Sequence, residues 1–235
     1  MMSELFSRRR GFDRKRRILA ATGLILLALV APQTPGRRGL AEPSRVHAAD
    51  GDIITIAGTG KVGYAGDGGY AISAVMNRQA GLAFDNAGNP FVADQANNRV
   101  RKIAPEGVIT TVAGTGQDWS GSAGIATATA LSTPIDVGVD GGGNLYVAET
   151  NGRQVRRVDP SGRITTVLGF ATECRDLSQP CGFLRSLALD LAGNLYFIAG
   201  NHRIWKLTQA GVIMGFAGTG TPCGDSHDPC GDGGP

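Results

Sequence analysis

Three segments of this chain align with one another, and that repetition constrains the fold more than any other feature. Residues 81–116 read GLAFDNAGNPFVADQANNRVRKIAPEGVITTVAGTG, residues 136–170 read DVGVDGGGNLYVAETNGRQVRRVDPSGRITTVLGF, and residues 186–220 read SLALDLAGNLYFIAGNHRIWKLTQAGVIMGFAGTG. Asp85, Asp140 and Asp190 set periods of 55 and then 50 residues, and Asn89, Asn144 and Asn194 follow at a fixed offset. A period of this size marks repeat architectures, whose units cannot bury their faces alone and are stabilised by their neighbours. Before the first copy, residues 52–60 (DIITIAGTG) match only the end of a repeat. After the last, residues 231–235 (GDGGP) match residues 66–70 (GDGGY).

Each copy divides into four short β-type runs. In the first copy these are 82–85, 90–94, 99–103 and 108–113. Asn-Ala-Gly-Asn at 86–89 supplies the first turn, because Gly and Asn tolerate positive φ. Pro105-Glu106-Gly107 supplies the third turn, and Pro160-Ser161-Gly162 repeats it. Leu82, Val137 and Leu187 form one column and Phe84, Val139 and Leu189 another, with Ala83, Gly138 and Ala188 between them. Large residues on one face and small ones on the other suit an inner strand that packs between blades. The expected fold is therefore all-β, a β-propeller of four-stranded antiparallel blades. Residues 70–78 are expected to form no more than a short helical turn. Three full copies are fewer than the four to eight blades usual in propellers. The expectation is about three blades plus a leading outer strand at 53–57, matched to 109–113, in an incomplete, open arc.

These residues closely resemble the NHL-repeat family. The resemblance rests on the NLYVAD-like cores at 88–94, 143–149 and 193–199, on NNRVRKI at 97–103, and on Asn201-His202-Arg203-Ile204. The TVAGTG ends and GDGG loops are similar to the exported bacterial branch and to the NHL domain of teneurins. The resemblance covers residues 52–235. It implies propellers, mostly six-bladed, that bind proteins, RNA or ligands, with a few relatives that are metal-dependent lyases or hydrolases. The chain departs from the pattern where Gln154 replaces Arg99. It departs again where Ala199 replaces the acid of Asp94 and Glu149, before a turn one residue shorter.

Residues 1–48 differ from the rest. Arg8, Arg9, Arg10, Arg14, Lys15, Arg16 and Arg17 precede a nearly unbroken apolar run at 18–31. A basic end followed by a short apolar stretch is the pattern of a secretory signal peptide. The run is short for a bilayer span, which needs roughly 20 residues; a short membrane anchor is the competing reading. Arg9-Arg10-Gly11-Phe12 resembles the core of a twin-arginine signal, with Asp13 where an apolar residue is usual. Without this segment, 13 basic residues face 17 acidic ones, a net charge of −4. Binding to a phosphate backbone needs a concentrated positive surface, so no nucleic-acid partner is expected. The reading is an exported domain, periplasmic, extracellular or on the cell surface, with membrane contact only through the N-terminal segment.

Four cysteines form two C-x6-C pairs, Cys174/Cys181 and Cys223/Cys230, each just after the end of a repeat. In an exported chain such pairs favour disulfides within each loop. Zinc is the rival reading, although its ligand pairs usually lie closer together.

Chemistry is sparse. Asp94 and Glu149 end second strands and are read with Arg101 and Arg156 as hairpin-turn ion pairs. Asp85, Asp140 and Asp190 are read as acceptors of backbone N–H groups in turns. Asp67 and Asp232 in the GDGG loops offer too few oxygens for calcium. His202 and His227 are the histidines beyond residue 48, and neither starts an inner strand. Asp136 and Arg185 do, and are the best axial candidates. The long connections 59–80, 115–133 and 170–185 differ in sequence and fall at one place in the repeat, so they crowd one face. Trp119 and Phe183 are candidate aromatic contacts there. The expected function is a non-catalytic binding or scaffold module for a protein or other extracellular ligand, with no metal or cofactor. The alternative is a metal-dependent lyase or lactonase on the propeller axis.

Overall fold

The computed structural model describes residues 53–118, 121–171, 179–200 and 203–218, all within the unit Val46–Pro235. The first blade is β1 (Gln79–Phe84), β2 (Pro90–Asp94), β3 (Arg99–Ile103) and β4 (Ile109–Ala113), paired in that order. The second is β6 (Pro134–Val139), β7 (Leu145–Glu149), β8 (Gln154–Val158) and β9 (Arg163–Gly169). A short strand β5 (Gly124–Ile125) is added to the outer edge at β9. The third is β10 (Leu184–Leu189), β11 (Leu195–Ala199), β12 (Arg203–Leu207) and β13 (Ile213–Ala217). Every pairing inside the blades is antiparallel. The expected blades and their four-strand division are what the structure shows, and the short helical turn is the 3-10 segment Ala71–Ser73.

The turns explain why the runs stop where they do. Asp85 Oδ1 accepts the backbone N–H of Ala87 at 3.0 Å and of Asn89 at 2.9 Å, and the Asn89 side chain donates to Oδ2 at 2.8 Å. Asp140 with Asn144 and Asp190 with Asn194 repeat the arrangement. Gly88, Gly143 and Gly193 hold φ between 76° and 79° there, where a side chain would strain the backbone. Irregular pairing also repeats. Each blade has a register shift near the start of its first strand and another between its third and fourth strands.

The blades stack through their inner strands, with β6 against β1 on one side and β10 on the other. Gly138 shows why that column is small. A Cβ there would lie 2.9 Å from Leu187 Cδ1, so the knob of one blade fills the hole of the one before. Gly81 approaches Asp136 even more closely. One core, including Phe91, Val100, Val137, Val147 and Leu131, joins blades 1 and 2. A second, including Val155, Leu187, Phe197 and Trp205, joins blades 2 and 3.

The leading segment differs from expectation. Residues 53–57 form no strand, and Ile53, Ile54 and Ile56 are exposed. Among the described residues no sheet edge lies beside them, and a strand without a partner leaves its N–H and C=O groups to water. Ala57 alone packs inward, against the cluster of Met76 and Ile109. The export signal expected over residues 1–48 lies outside the described residues.

Candidate functional site

The most polar buried sites lie where each blade meets the connection that precedes it. Asp94 ends β2 and Arg101 sits in mid-β3; their side chains are 3.4 Å apart and both are 0% exposed. Glu149 and Arg156 occupy the same places in blade 2, at 3.6 Å and again 0% exposed. The expected ion pairs therefore exist, but they are not surface hairpin pairs. Their position under the connections changes their role. Asp94 Oδ1 accepts the backbone N–H of Asn77 at 2.8 Å, and Glu149 Oε2 accepts that of Ser132 at 2.8 Å. Arg101 reaches Asp67 at 2.8 Å, while Arg156 donates to the carbonyls of Gly121 (2.8 Å) and Ser122 (3.0 Å). Each pair thus pins its connection to the blade at two places, once near its end and once farther upstream. Such charges are tolerated in a low-dielectric site because each is paired and makes further bonds to the connection, although the Nε of Arg101 and of Arg156 has no hydrogen-bond partner among the described residues. Burial pulls the Arg156 guanidinium below its usual range, and Glu149 opposes that pull.

The two connections follow one plan. Gly68 and Gly69 pair with Ile109 of β4, and β5 pairs with β9. A 3-10 turn follows in both, Ala71–Ser73 and Ala126–Ala128. Arg78 and Thr133 then both adopt φ of 53°. The equivalences are 55 residues apart throughout, which is the period between the first two repeats. Sequence comparison missed this because different side chains serve one backbone path. The first connection adds a ring of its own: Tyr64 lies 3.8 Å beneath the Arg99 guanidinium and donates its hydroxyl to Asp67 at 3.0 Å. Burial would raise the Asp67 carboxyl, but Thr111, the Arg101 charge and the Tyr64 hydroxyl together hold it below its ordinary value.

Blade 3 breaks the pattern at both positions together. Ala199 stands in place of the acid, and buried Trp205 in place of the arginine. Only the first change stood out from sequence, because Trp205 reads as an ordinary strand aromatic. Here Trp205 packs with Phe197, which in turn meets Phe170 at 5.4 Å between ring centroids.

The predicted site residues separate. Asp136 is the third residue of β6 rather than its first, and its Oδ2 accepts from Ser186 Oγ at 2.8 Å and from the Leu187 backbone N–H at 2.9 Å. Its Oδ1 accepts the Val137 N–H at 2.9 Å. This carboxylate ties blade 2 to blade 3. Arg185 is exposed, one residue into β10. Phe183 is 51% exposed, with the Arg153 guanidinium 5.0 Å from its ring centroid. Phe183 and Arg153 meet where blades 2 and 3 join and exposed Arg185 lies two residues along the chain from Phe183, whereas Asp136 hydrogen-bonds within the scaffold. Trp119 lies outside the described residues, as do Cys174, Cys223, Cys230, Asp232, His202 and His227. Cys181 is 2% exposed and is not a free thiol. Among the described residues no three His, Cys, Asp or Glu side chains cluster as metal ligands.

No family model matches the chain. It is 29% identical over 200 residues to human teneurin-1, covering 73% of this chain and 7% of that protein. It is 28% identical over 184 residues to human teneurin-4, covering 71% and 6%. The chain thus spans less than a tenth of these relatives. Virginiamycin B lyase from Staphylococcus aureus superimposes with a TM-score of 0.45 at 15% identity, over 64% of this chain and 44% of that one. The repeated blades, their turn chemistry and the teneurin similarity together support an NHL-type β-propeller.

Proposed function

We propose that this propeller is an exported, non-catalytic binding module whose working surface is the end where the blade connections gather. The observation that carries the reading is the Phe183–Arg153 pair, an exposed aromatic ring beneath a guanidinium, beside exposed Arg185. An exposed aromatic and neighbouring arginines on a rigid scaffold are the residue types that anchor protein interfaces. The partner is a protein or another extracellular ligand carrying acidic groups that match the arginines. Disulfides Cys174–Cys181 and Cys223–Cys230 stiffen the connections that frame this face, and residues 1–48 direct export. Asp136 serves this module as a joint between blades.

Arrays of extracellular proteins and acidic glycans, probed with the full chain, test the proposal. Phe183→Ser and Arg185→Glu should each abolish the binding that the unaltered chain shows, while leaving its melting temperature unchanged. Asp136→Asn should do the opposite, lowering the melting temperature and sparing binding. Stoichiometric divalent metal in the full chain, lost on Asp136→Asn, would replace this reading with the lyase or lactonase alternative.

A further inference from the structure

The turn between the second and third strands of blade 2 carries a reactive pair. Asn151 is followed there by Gly152, and no other asparagine of the chain precedes a glycine. The turn joins β7 to β8, and Asn151 is exposed on it. Arg153, in the left-handed region at φ 47°, closes the turn by donating its backbone N–H to the Thr150 carbonyl at 3.2 Å. Blade 1 closes the same turn with Asn98, at φ 50°, whose N–H reaches the Gln95 carbonyl at 3.1 Å. Asn97 therefore matches Gly152, and Ala96 matches Asn151. Asn97 braces the blade 1 turn with its side chain, which donates to Asp94 at 2.9 Å and to the Gly63 carbonyl at 2.7 Å. Gly152 has no side chain to do this, and its backbone N–H meets no acceptor among the described residues.

We propose that Asn151 is a site of spontaneous modification, losing its side-chain amide to leave a carboxylate at the tip of the blade 2 turn. Asparagine is chemically labile, and a glycine after it lets the backbone swing onto the side chain. The attacking group is the Gly152 nitrogen, and no hydrogen bond within the protein has to break to free it. Once its proton has passed to a solvent base, this nitrogen bonds to Asn151 Cγ. The Cγ–Nδ2 bond breaks, and Nδ2 takes up a proton and leaves as ammonia. Water then opens the cyclic imide, its hydroxyl going to a carbonyl carbon and its proton to the nitrogen. Opening at one carbonyl gives aspartate. Opening at the other gives isoaspartate, with the main chain rerouted through the side chain. Either product exchanges a neutral amide for an anion. Asn151 Nδ2 donates to Thr133 Oγ1 at 2.8 Å; after the loss, the Thr133 hydroxyl becomes the donor. Other asparagines are protected. Pro90 follows Asn89 and has no N–H to attack with, and the N–H that follows Asn97 is the one bound to Gln95. Asn144 and Asn194 precede strand leucines, and Asp140 and Asp190 hold their side chains at 2.8 Å. The new charge lies two residues from Arg153, whose guanidinium stands 5.0 Å from the Phe183 ring centroid. A weaker hold on an acidic partner there rests on the binding reading above; the modification itself does not.

Peptide mass spectrometry of the folded full chain, aged in warm, mildly alkaline buffer, tests the proposal. The Asn151 peptide should gain the mass of an amide-to-acid exchange, and most of its amide should be lost before any other asparagine changes. Asn151→Gln and Gly152→Ala should each remove that gain. Gly152 lies outside the left-handed region, so alanine suits its backbone. An unchanged Asn151 peptide in the folded chain would overturn the proposal. Loss seen only in denaturant would overturn it too, since the native turn would then protect the amide. So would earlier loss at another asparagine, or an undiminished gain in Gly152→Ala. These masses are read without a ligand, so failure of the binding proposal leaves them unchanged.

Discussion

In blades 1 and 2 the second strand ends in a carboxylate and the third strand carries a buried arginine. In blade 3 the same two positions hold Ala199 and Trp205. The backbones around these pairs keep the same registers and the same irregularities, so the exchange leaves the blade itself intact. What changes is the connection. Arg101 and Arg156 reach out of their blades to hold Asp67 and the carbonyls of Gly121 and Ser122. An indole has no such reach, and Trp205 turns its area into packing against Phe197 and Leu187. Blade 3 is preceded instead by the connection that bears Cys181. The comparison shows two ways to fill one site: a charged pair that holds a loop, and an apolar pair that seals a joint. Buried ion pairs exchanged whole for apolar residues are often neutral in stability, whereas a lone survivor of the pair is costly.

The strongest way to break the comparison is to leave half of a pair behind. Arg156→Met should destabilise the full chain by about 3–5 kcal/mol, because Glu149 would remain buried without its cation. Adding Glu149→Leu should recover most of that loss, to within about 1 kcal/mol of the original, by giving blade 2 the apolar manner of blade 3. Urea unfolding reads both. Limited proteolysis should then cut the connection 115–133 of the double variant faster, since its tether is gone. A double variant as unstable as the single one would show that the pair is not exchangeable in this fold.

A smaller effect runs the other way. Ala199→Asp sets a carboxylate in the blade 3 site beside Trp205 and should cost about 3 kcal/mol in the same unfolding assay. Burial raises the new carboxyl, so the cost should shrink as pH falls through that raised value and level off below about pH 4, where the unfolded chain is protonated too. An unchanged midpoint would mean that the site admits water and that its apolar character is not what distinguishes blade 3.

The smallest effect tests what all three blades share. The Asn89 side chain, the Asn89 backbone N–H and Lys102 hold the Asp85 carboxyl far below its ordinary value of 3.8. The Asn194 side chain and backbone lower that of Asp190 in the same way. For a depressed carboxyl, stability is full above the unfolded value and is lost as pH falls through the folded one. Melting temperature should therefore decline below about pH 4. Asp85→Asn should lower it by about 2–4 °C at pH 7 and flatten the acid decline. An equal acid slope in variant and original would remove the turn aspartates as its source.

Much of the fold was legible because its signals are local. Turn chemistry at 85–89, 140–144 and 190–194 is carried by residues four apart, and strand boundaries follow from it to within a few positions. The aspartates expected to cap those turns do so, and the alternation of large and small residues along β1, β6 and β10 marked the stacking strands. The candidate site was legible only in part. Asp136 stood out by position, yet its carboxylate proved to be spent on Ser186 and Leu187, fifty residues away. Asp94 and Arg101 were paired correctly as a hairpin-turn pair, but their burial was not legible, since nothing in a strand sequence tells whether a neighbouring connection folds down over it.

By itself, the sequence determined the repeat, its period, the four-strand division of each blade and the turns between strands, because each depends on contacts within a single copy. Tertiary structure alone decided that the connections 59–80 and 115–133 share one backbone path, that Arg101 and Arg156 anchor them, and that Trp205 answers Ala199. It alone left residues 53–57 without a ladder. These outcomes depend on which surface lies opposite, and burial is a property of two surfaces brought together rather than of either one read along the chain.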